Sequence, residues 1–260
     1  MTSESAQLLT APLAGVVVVV LLDYLRQHQA WGWFRLASGA PGAKSHPGLR
    51  FAKVMGSGHE GGFTLRPSAT HQGFVAVFDH LNDALDFVQH PYVTEARKRT
   101  KESWVGVMRI DSTRGQWDGV EWAKTTSSQC DLEGSDAICA HPERLAVLTR
   151  ASIRPAKAMA FWRHAPTAQG DLHLAQGCEI AMGLGEAPLV RQCTFSLWEN
   201  QDDMIRYAHD GAHRSAIESA HRNGFFQESL FVRMKLLAMS GVWKGRELHH
   251  QADKLEVARV

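Results

Sequence analysis

Two histidines in a predicted helix are the residues whose type and spacing most suggest chemistry. The helix runs from Asp202 to about Arg222, and at about 100° per residue it carries a mostly alanine stripe, with His209 near the centre of the stripe and His213 on its flank. Because alanine fills little space, a flat macrocycle could lie between this helix and the strands beneath it. A neutral histidine nitrogen is a common ligand of haem iron. The stripe that we expect to face the sheet consists of Ile205, Ala208, Ala212, Ala216 and Ala220.

Aromatic residues on the predicted strands that flank this helix are candidates to line the same pocket. They are Phe195, Trp198 and Phe231. Aromatic residues on strands belong to the core in most proteins, so core packing is the alternative interpretation for each of them. Nearby guanidinium groups could pair with ligand carboxylates, with solvated surface charge as the alternative. The arginines concerned are Arg150, Arg191 and Arg214.

Two glycine-rich segments suggest a nucleotide site at first sight. They are Gly56-Ser57-Gly58 and Gly183-Leu184-Gly185. Neither segment has the strand, the GxGxxG spacing and the following helix that a dinucleotide site requires. Because the motif recurs in both halves of the chain, we interpret both copies as tight turns that use the conformational freedom of glycine.

The cysteines do not form a recognisable metal or disulfide pattern. The chain has four cysteines and no CxxC pair, which argues against iron-sulfur chemistry and against a disulfide framework. Cys130, Cys139 and His141 match no common zinc spacing, so we assign no zinc site.

Composition narrows the class of protein further. The chain has 260 residues, of which 44% are hydrophobic, and a formal net charge of +1 without any block of Lys or Arg. A nucleic-acid partner is therefore not expected. The apolar run Ala11–Leu22 has twelve residues, fewer than the roughly 20 of a membrane span, and no export signal surrounds it. We predict that its β-branched part, Val16–Val20, is a buried strand. We also expect the protein to be cytoplasmic, with peripheral membrane contact left open.

The elements that position these side chains follow from an internal repeat. A strand, a helix and a second strand occur in the same order twice. In the first copy they are Phe74–Asp79, Asn82 to about Lys101 and Trp104–Ile110; in the second they are Thr194–Glu199, Asp202 to about Arg222 and Phe225–Met234. Earlier strands, each followed by a helix, are predicted at Val16–Leu22 and Ala158–Trp162.

A further repeated segment, Gly48–Ala52 in the first half and Gly177–Ala181 in the second, precedes these elements. With it, each half has the order βαββαβ, which is that of a ferredoxin-like unit. One such sheet leaves an apolar face uncovered, and a second copy covers it. We therefore predict an α+β protein in which two fused ferredoxin-like halves form a dimeric α+β barrel-like sandwich within one chain. The predicted boundaries are an N-terminal half at 15–120, a linker at 121–145 and a C-terminal half at 146–245. The tail at 246–260 is expected to be a solvated helix or disordered.

A series of motifs in the second half is similar to a known family. The motifs, in chain order, are Ala146-Val147-Leu148-Thr149-Arg150-Ala151-Ser152-Ile153-Arg154, Phe161-Trp162, Gly183-Leu184-Gly185-Glu186, Thr194-Phe195-Ser196-Leu197-Trp198, His213, and Phe225-Phe226-x-Glu228-x-Leu230-Phe231. Gly48-Leu49-Arg50-Phe51 adds a match in the first half. Over residues 15 to 245, this ordered series resembles the spheroidene monooxygenase family.

The resemblance implies a haem-dependent monooxygenase that acts on an unactivated carbon of an apolar small molecule, a carotenoid in the named family member. It also implies haem b as cofactor and an external electron donor such as a ferredoxin. The family pattern has a histidine where His213 stands, so His213 is the predicted iron ligand and His209 the runner-up. Gln89 and Val93 stand at the repeat-equivalent positions, which predicts one haem per chain.

Other functions remain open at this point. Related α+β barrel haem proteins include dehydratases that act at nitrogen-oxygen bonds and need no electron donor. A non-catalytic protein that binds haem or an apolar ligand is a second alternative, and a cofactor-free monooxygenase, colourless when purified, is a third. Oligomer formation through exposed sheet edges is also open.

Overall fold

Strands dominate the structure, a computed structural model that describes residues 13–123, 144–169, 172–187, 189–209 and 222–251. The strands are β1 (Leu13–Ala14), β2 (Val16–Tyr24), β3 (Leu49–Gly58), β4 (Pro67–Phe78), β5 (Thr100–Trp117), β6 (Val120–Ala123), β7 (Leu145–Ile153), β8 (Cys178–Ala187), β9 (Arg191–Trp198), β10 (Phe226–Trp243) and β11 (Arg246–Gln251). The α-helices are α1 (Gln29–Ser38), α2 (Leu81–Gln89), α3 (Pro91–Arg97), α4 (Ala158–Gln169) and α5 (Gln201–His209).

Strand β2 lies at the centre of the first half. Its β-branched run Val16–Val20 favours an extended backbone and is buried on both faces, which confirms the predicted buried strand. Antiparallel neighbours flank it on both sides, β4 and β5. Side chains alternate along a strand, so β2 contributes to two apolar layers. Val17 and Val19 point into the central core, whereas Val16 and Val18 join a second core on the outer face with residues of α2 and α3.

Eight strands close into an antiparallel barrel. Their order is β5-β2-β4-β3-β8-β9-β7-β10, and β10 pairs again with β5 to complete the ring. The predicted α+β class and barrel-like architecture are thereby confirmed. Both halves supply four strands, and the long strands β5 and β10 join them from Ser103 to Gly115 on β5. The hairpin partners β6 and β11 extend β5 and β10 beyond the ring.

The halves meet again at a much shorter seam between β3 and β8. Here the two glycine-rich segments pair with each other, Gly56 with Gly185 and Ser57 with Leu184. The prediction of tight turns was therefore wrong, because both segments are extended strand. Glycine at position 183 instead allows another part of the backbone to pack closely against the strand, since a Cβ on Gly183 would collide with the Gly62 carbonyl. The Ser57 hydroxyl donates a hydrogen bond to the Gly183 carbonyl at 2.5 Å.

Two equivalent hairpin turns are capped by glutamates from the opposite half. Asp118 and Gly119, both with positive φ, donate their backbone N–H groups to Glu228 at 2.8 and 3.0 Å. Lys244 and Gly245, also with positive φ, donate to Glu102 at 2.7 and 3.0 Å. Positive φ at both central residues is typical of tight two-residue hairpins, which leave these N–H groups free for an external acceptor.

Three predicted elements differ from the structure. Ala158–Trp162 lies in helix α4, and the earlier strand of the second half is β7, because β7 contains β-branched residues and the later run contains none. The predicted long helix after Asn82 is two helices, since Pro91 lacks an N–H and forces His90 into an extended conformation.

Tail residues 246–251 form β11, not a helix or a disordered end. The remaining tail residues, 252–260, and most of the predicted linker lie outside the described residues.

The seam predicts different outcomes for alanine at two of its glycines. At Gly183 an added methyl group meets the Gly62 carbonyl and, at 2.8 Å, the Phe63 ring, whereas at Gly56 the nearest atom is a Leu36 methyl at 3.4 Å. Gly183→Ala should lower the free energy of unfolding by about 1–3 kcal/mol in urea titration. Gly56→Ala is the matched control and should change it by less than about 1 kcal/mol. Equal losses in the two variants would contradict the packing described for the seam.

Candidate functional site

Helix α5 begins on a side-chain cap, and the face it turns to the sheet agrees only in part with the predicted stripe. The Asn200 amide oxygen accepts a hydrogen bond from the Asp203 N–H at 2.9 Å, which satisfies one of the free donors of the first turn. Asp203 and Met204 are buried against the sheet, whereas Ile205 of the predicted stripe is exposed. Ala208, the other described residue of the stripe, is half-buried and packs against the core around Trp198, so the predicted orientation is wrong at Ile205 and confirmed at Ala208.

Of the two candidate iron ligands, the structure describes His209 but not His213. His209 is the last described residue of α5 and is exposed to solvent. His213 lies outside the described residues, as do Arg214 and the remaining alanines of the predicted stripe. Its assignment as iron ligand stays a prediction.

The three predicted lining residues do not share one face of the sheet. Trp198 is buried on the outer face beneath α5, where its Nε1–H donates to Ser196 Oγ at 2.9 Å and its ring lies 5.5 Å from that of Tyr207. Phe231 lies on the outer face of β10 and is 38% exposed. Phe195 points the other way, into the barrel, where it packs at 5.5 Å from Trp104. A site on the outer face can therefore include Trp198 and Phe231 but not Phe195.

Phe231 belongs to a part of the outer sheet face where the two halves differ. In the second half, Thr149 of β7 pairs with Thr194 of β9 and with Phe231 of β10. Thr149 and Phe231 are exposed and Thr194 is half-buried. We name these three residues the open face. Aligning the two halves residue by residue would have revealed it.

The same position in the first half is filled. The fifth residue of β2, Val20, corresponds to the fifth residue of β7 and pairs with Phe74 and Val105. All three are buried, and they pack with Phe87 of α2 and Val93 of α3. In the second half, the described core on the outer face is smaller and lies at one end, around Trp198 and Met204. The open face is thus a patch of two threonines and one phenylalanine that the described residues leave accessible.

A groove of about 170 Å³ lies over the seam, between α1 and α4. Its walls are apolar: Trp33, Leu36, Phe63, Leu65, Trp162 and Leu189. Its polar wall includes Gln72, whose buried amide oxygen has no hydrogen-bond partner among the described residues. Gln192 also lines the groove and stands two residues before Thr194 on β9. Because side chains alternate along a strand, Gln192 and Thr194 lie on the same side of the sheet. The groove and the open face are therefore neighbouring parts of one surface.

His71 is a histidine on the polar wall of this groove. Burial lowers the pKa of His71, and the nearby Asp23 carboxylate offsets only part of this effect. The Nδ1 atom of His71 lies 3.1 Å from Ser68 Oγ and 3.4 Å from the Asp23 carboxylate. The imidazole is therefore neutral at physiological pH and is oriented by its neighbours.

Arg150 is buried inside one end of the barrel and is not a surface charge. Its side chain is 1% exposed, and its guanidinium pairs with Glu228, with Asp118 at 3.1 Å and with Glu186 at 3.2 Å. The ring of Trp117 lies under the guanidinium, with its centroid at 5.5 Å. Arg150 therefore has its carboxylate partners within the protein and does not offer its charge to a ligand.

The charges around Arg150 balance and join six elements. Lys53 of β3 pairs with Asp118 at 2.6 Å and with Glu186 at 3.4 Å, and Arg191 of β9 approaches the same two carboxylates. Burial by itself would raise the pKa of Asp118, but the hydrogen bond from Lys53 and the charges of Lys53, Arg150 and Arg191 together hold it below its ordinary value. We name this set, Lys53, Asp118, Arg150, Glu186, Arg191 and Glu228, the barrel-end cluster.

The described cysteines are not available as thiolate ligands. Burial raises the pKa of Cys178 to about 12 and raises that of Cys193 further. Both thiols are protonated at neutral pH, and Cys178 donates a hydrogen bond to the Ile180 carbonyl at 3.3 Å.

The barrel-end cluster predicts a large difference between two arginine substitutions. Arg150→Leu should lower the free energy of unfolding by about 3–5 kcal/mol, because it removes the buried cation of the cluster and leaves the largely buried Glu228 without its Arg150 partner. Arg191→Leu removes a partly exposed cation that lies 3.4 Å or more from its partners and should cost less than about 1 kcal/mol. Urea unfolding at neutral pH measures both values. Similar losses for the two variants would show that burial does not set the importance of Arg150.

Known proteins resemble this chain in sequence over most of its length. The spheroidene monooxygenase of Rubrivivax gelatinosus is 42% identical over 232 residues, which cover 89% of this chain and 86% of that protein. The spheroidene monooxygenase of Rhodobacter capsulatus is 34% identical over 203 residues, covering 77% of this chain and 81% of that protein. No model of a known protein family matches the sequence.

Solved structures share the fold at low sequence identity. A crystal structure of aldoxime dehydratase has a TM-score of 0.53 at 10% identity and covers 87% of this chain and 83% of its own. A second structure of aldoxime dehydratase, in complex with butyraldoxime, has a TM-score of 0.54 at 10% identity, covering 87% and 81%. At this identity the likeness concerns the barrel alone, whereas the sequence relatives match over most of the chain at 34% and 42% identity. The chain belongs to the spheroidene monooxygenase family.

Proposed function

We propose that this chain is a haem-dependent monooxygenase that inserts one oxygen atom into an unactivated carbon of an apolar small molecule. Family membership supports an oxygenase. The observation that carries the haem proposal is the open face, where the described residues of the second half leave Thr149, Thr194 and Phe231 accessible instead of packing over them. Spheroidene, which gives the relatives their name, is the first substrate to test.

A duplicated fold would explain why only one half has such an open face. Both halves have the same strand order, β5-β2-β4-β3 in the first and β10-β7-β9-β8 in the second, with helices after the first and third strands. We infer that they are two fused ferredoxin-like copies. In the first copy, Val20, Phe74 and Val105 fill the outer face, which leaves no room for a macrocycle. The second copy has diverged at these positions, so it is the one proposed to bind haem b.

The described residues fit a flat, largely apolar group on the open face. Thr149 has the size of Val20, but Thr194 is much smaller than Phe74, whose position it takes. Phe231 offers an aromatic edge or face to a macrocycle. Haem iron needs one side-chain ligand, which we propose to be His213, four positions beyond the last described residue of α5. His209 is the runner-up. The described part of the chain contains no convergent set of three His, Cys, Asp or Glu that would hold a different metal.

The chain's own residues would bind and shield the reactants. Haem, when bound, supplies the iron at which O₂ is activated with electrons from an external donor such as a ferredoxin. Trp198 and Met204 close one end of the outer face with apolar surface and exclude water there. The neighbouring groove, with its apolar wall, would hold the substrate chain. The overall balance is R–H + O₂ + 2 e⁻ + 2 H⁺ giving R–OH + H₂O.

Filling the open face should abolish haem binding. Thr149→Val combined with Thr194→Phe gives the second half the side chains that Val20 and Phe74 provide in the first. We expect the purified natural chain to show a Soret band after haem titration and this double variant to bind haem at least about tenfold more weakly. His213→Ala should lose or shift the band, and His209→Ala should keep it.

Matched controls separate binding from stability. Val20→Thr combined with Phe74→Thr would only open the packed first half and gives no information about haem. Lys101→Val, at an exposed position of β5 far from the open face, is the better control. Circular dichroism and urea midpoints establish that each variant is folded. A Soret band of natural affinity in the filled variant would rule out the open face, and no band in the natural chain would rule out haem.

A dehydratase that acts at a nitrogen-oxygen bond is the second candidate, favoured by the barrel shared with aldoxime dehydratase. The two reactions differ in their need for oxygen and electrons. With ¹⁸O₂ and a reduced ferredoxin, we expect labelled oxygen in the product from spheroidene and no product without O₂. Conversion of butyraldoxime to a nitrile without O₂, and no labelled product from spheroidene, would favour the dehydratase.

A further inference from the structure

Helix α1 exposes its apolar side and buries its charge. Ala30, Trp33, Phe34 and Ala37 follow the i, i+3, i+4, i+7 spacing of an apolar helical stripe, and all four are exposed. Trp33 is 45% and Phe34 70% exposed. Arg35 is buried on the opposite side. A surface helix normally has the reverse arrangement, so this stripe points to a partner.

The exposed stripe continues around the mouth of the seam groove. Trp33 lines the groove together with Leu65 and Leu189, which are themselves exposed, Leu65 to 50%. These residues come from three separate parts of the chain, the helix α1, the loop before β4 and the loop before β9. We name Trp33, Phe34, Leu65 and Leu189 the apolar rim. Large apolar side chains gathered in this way mark an interaction surface, unlike single exposed ones.

The segments that carry the rim are rich in cations and poor in acids. No Asp or Glu occurs between Asp23 and Glu60, which includes α1, or between Glu143 and Asp171, which includes α4. Arg26, Arg66 and Arg163 are exposed in or beside these segments. Glu60 is exposed on the loop that carries Leu65 and Arg66. Glu186 also lines the groove, but it is already paired with Lys53 and Arg150.

We propose that the apolar rim docks on an anionic lipid bilayer and opens the seam groove toward the acyl chains. Apolar aromatic side chains flanked by arginines match the interfacial layer of such a membrane. A second copy of this chain fits less well, because a two-fold contact would bring the same arginines together. None of the helices in the described residues is long and apolar enough to cross a bilayer, so the contact would be peripheral.

Docking of this kind would give an apolar substrate a route that avoids water. This consequence rests on the proposed function. A lipid-soluble molecule would pass between Trp33 of α1 and Trp162 of α4, and Gln192 leads along β9 toward Thr194 of the open face.

Vesicle flotation tests the proposal without substrate. The natural chain should float with equimolar phosphatidylcholine and phosphatidylglycerol vesicles, and less with phosphatidylcholine alone or in about 0.5 M NaCl. Trp33→Gln combined with Phe34→Gln should lower the partition coefficient about tenfold or more, because two aromatic side chains no longer enter the bilayer. Leu65→Gln, a single change on a loop, should lower it less.

Leu174→Gln is the matched control. Leu174 is as exposed as Phe34, but it precedes β8 at the end away from the seam. It should float like the natural chain. Natural chain that stays unbound, or a Trp33/Phe34 variant that floats normally, would overturn the proposal. So would a dimer that only this variant converts to a monomer, which would identify a second copy as the occupant. Flotation is measured with and without haem, so a failure of haem binding alone leaves the docking result intact.

Discussion

The pairing of β5 with β10 is the constraint on which the rest of the structure depends. These two strands come from different halves and run together from Ser103 to Gly115 on β5. Their pairing brings the inner faces of both four-stranded sheets together, so that Trp104 and Met108 of β5 share one core with Met182 and Phe195 of the second half. Each sheet alone would expose that face to water. Burial of the shared core is therefore the main stabilising term, and it exists only when both halves are present.

The second contact between the halves, the pairing of β3 with β8, is much shorter than that of β5 with β10. This difference leaves the groove on the surface of the molecule. Because β3 and β8 pair at only two positions in the described residues, their outer ends diverge and leave a groove between α1 and α4. Glycines keep the seam narrow enough for the loop with Phe63 to pack across it. The same joint thus provides a tight backbone contact inside and an accessible cleft outside. A longer seam would have closed the cleft with paired strand.

Much of the fold could be predicted from the sequence, because strand signals and repeat order are local. The β-branched run at Val16 and the repeated order of elements indicated an α+β barrel, and the motif series indicated the family. Errors arose where the decisive partner is distant in sequence. Arg150 resembles any surface arginine until Glu186 and Glu228 surround it, and the glycines of the seam resemble turns until they pair with each other. The orientation of α5 depended on Asp203 packing over Gly177, which helical periodicity does not reveal.

The exchange of glutamates between the hairpins has a consequence for how the chain folds. Glu102 caps the turn at Lys244, 142 positions away, and Glu228 caps the turn at Asp118, 110 positions away. Neither half can complete its own hairpin with residues that it contains. Forming such long-range contacts first requires closing long loops, which lowers the conformational entropy of the chain before any contact stabilises it. Folding is therefore expected to be slow and limited by the association of the two halves. Once they meet, each half stabilises the other, and the two should unfold as one cooperative unit rather than in sequence.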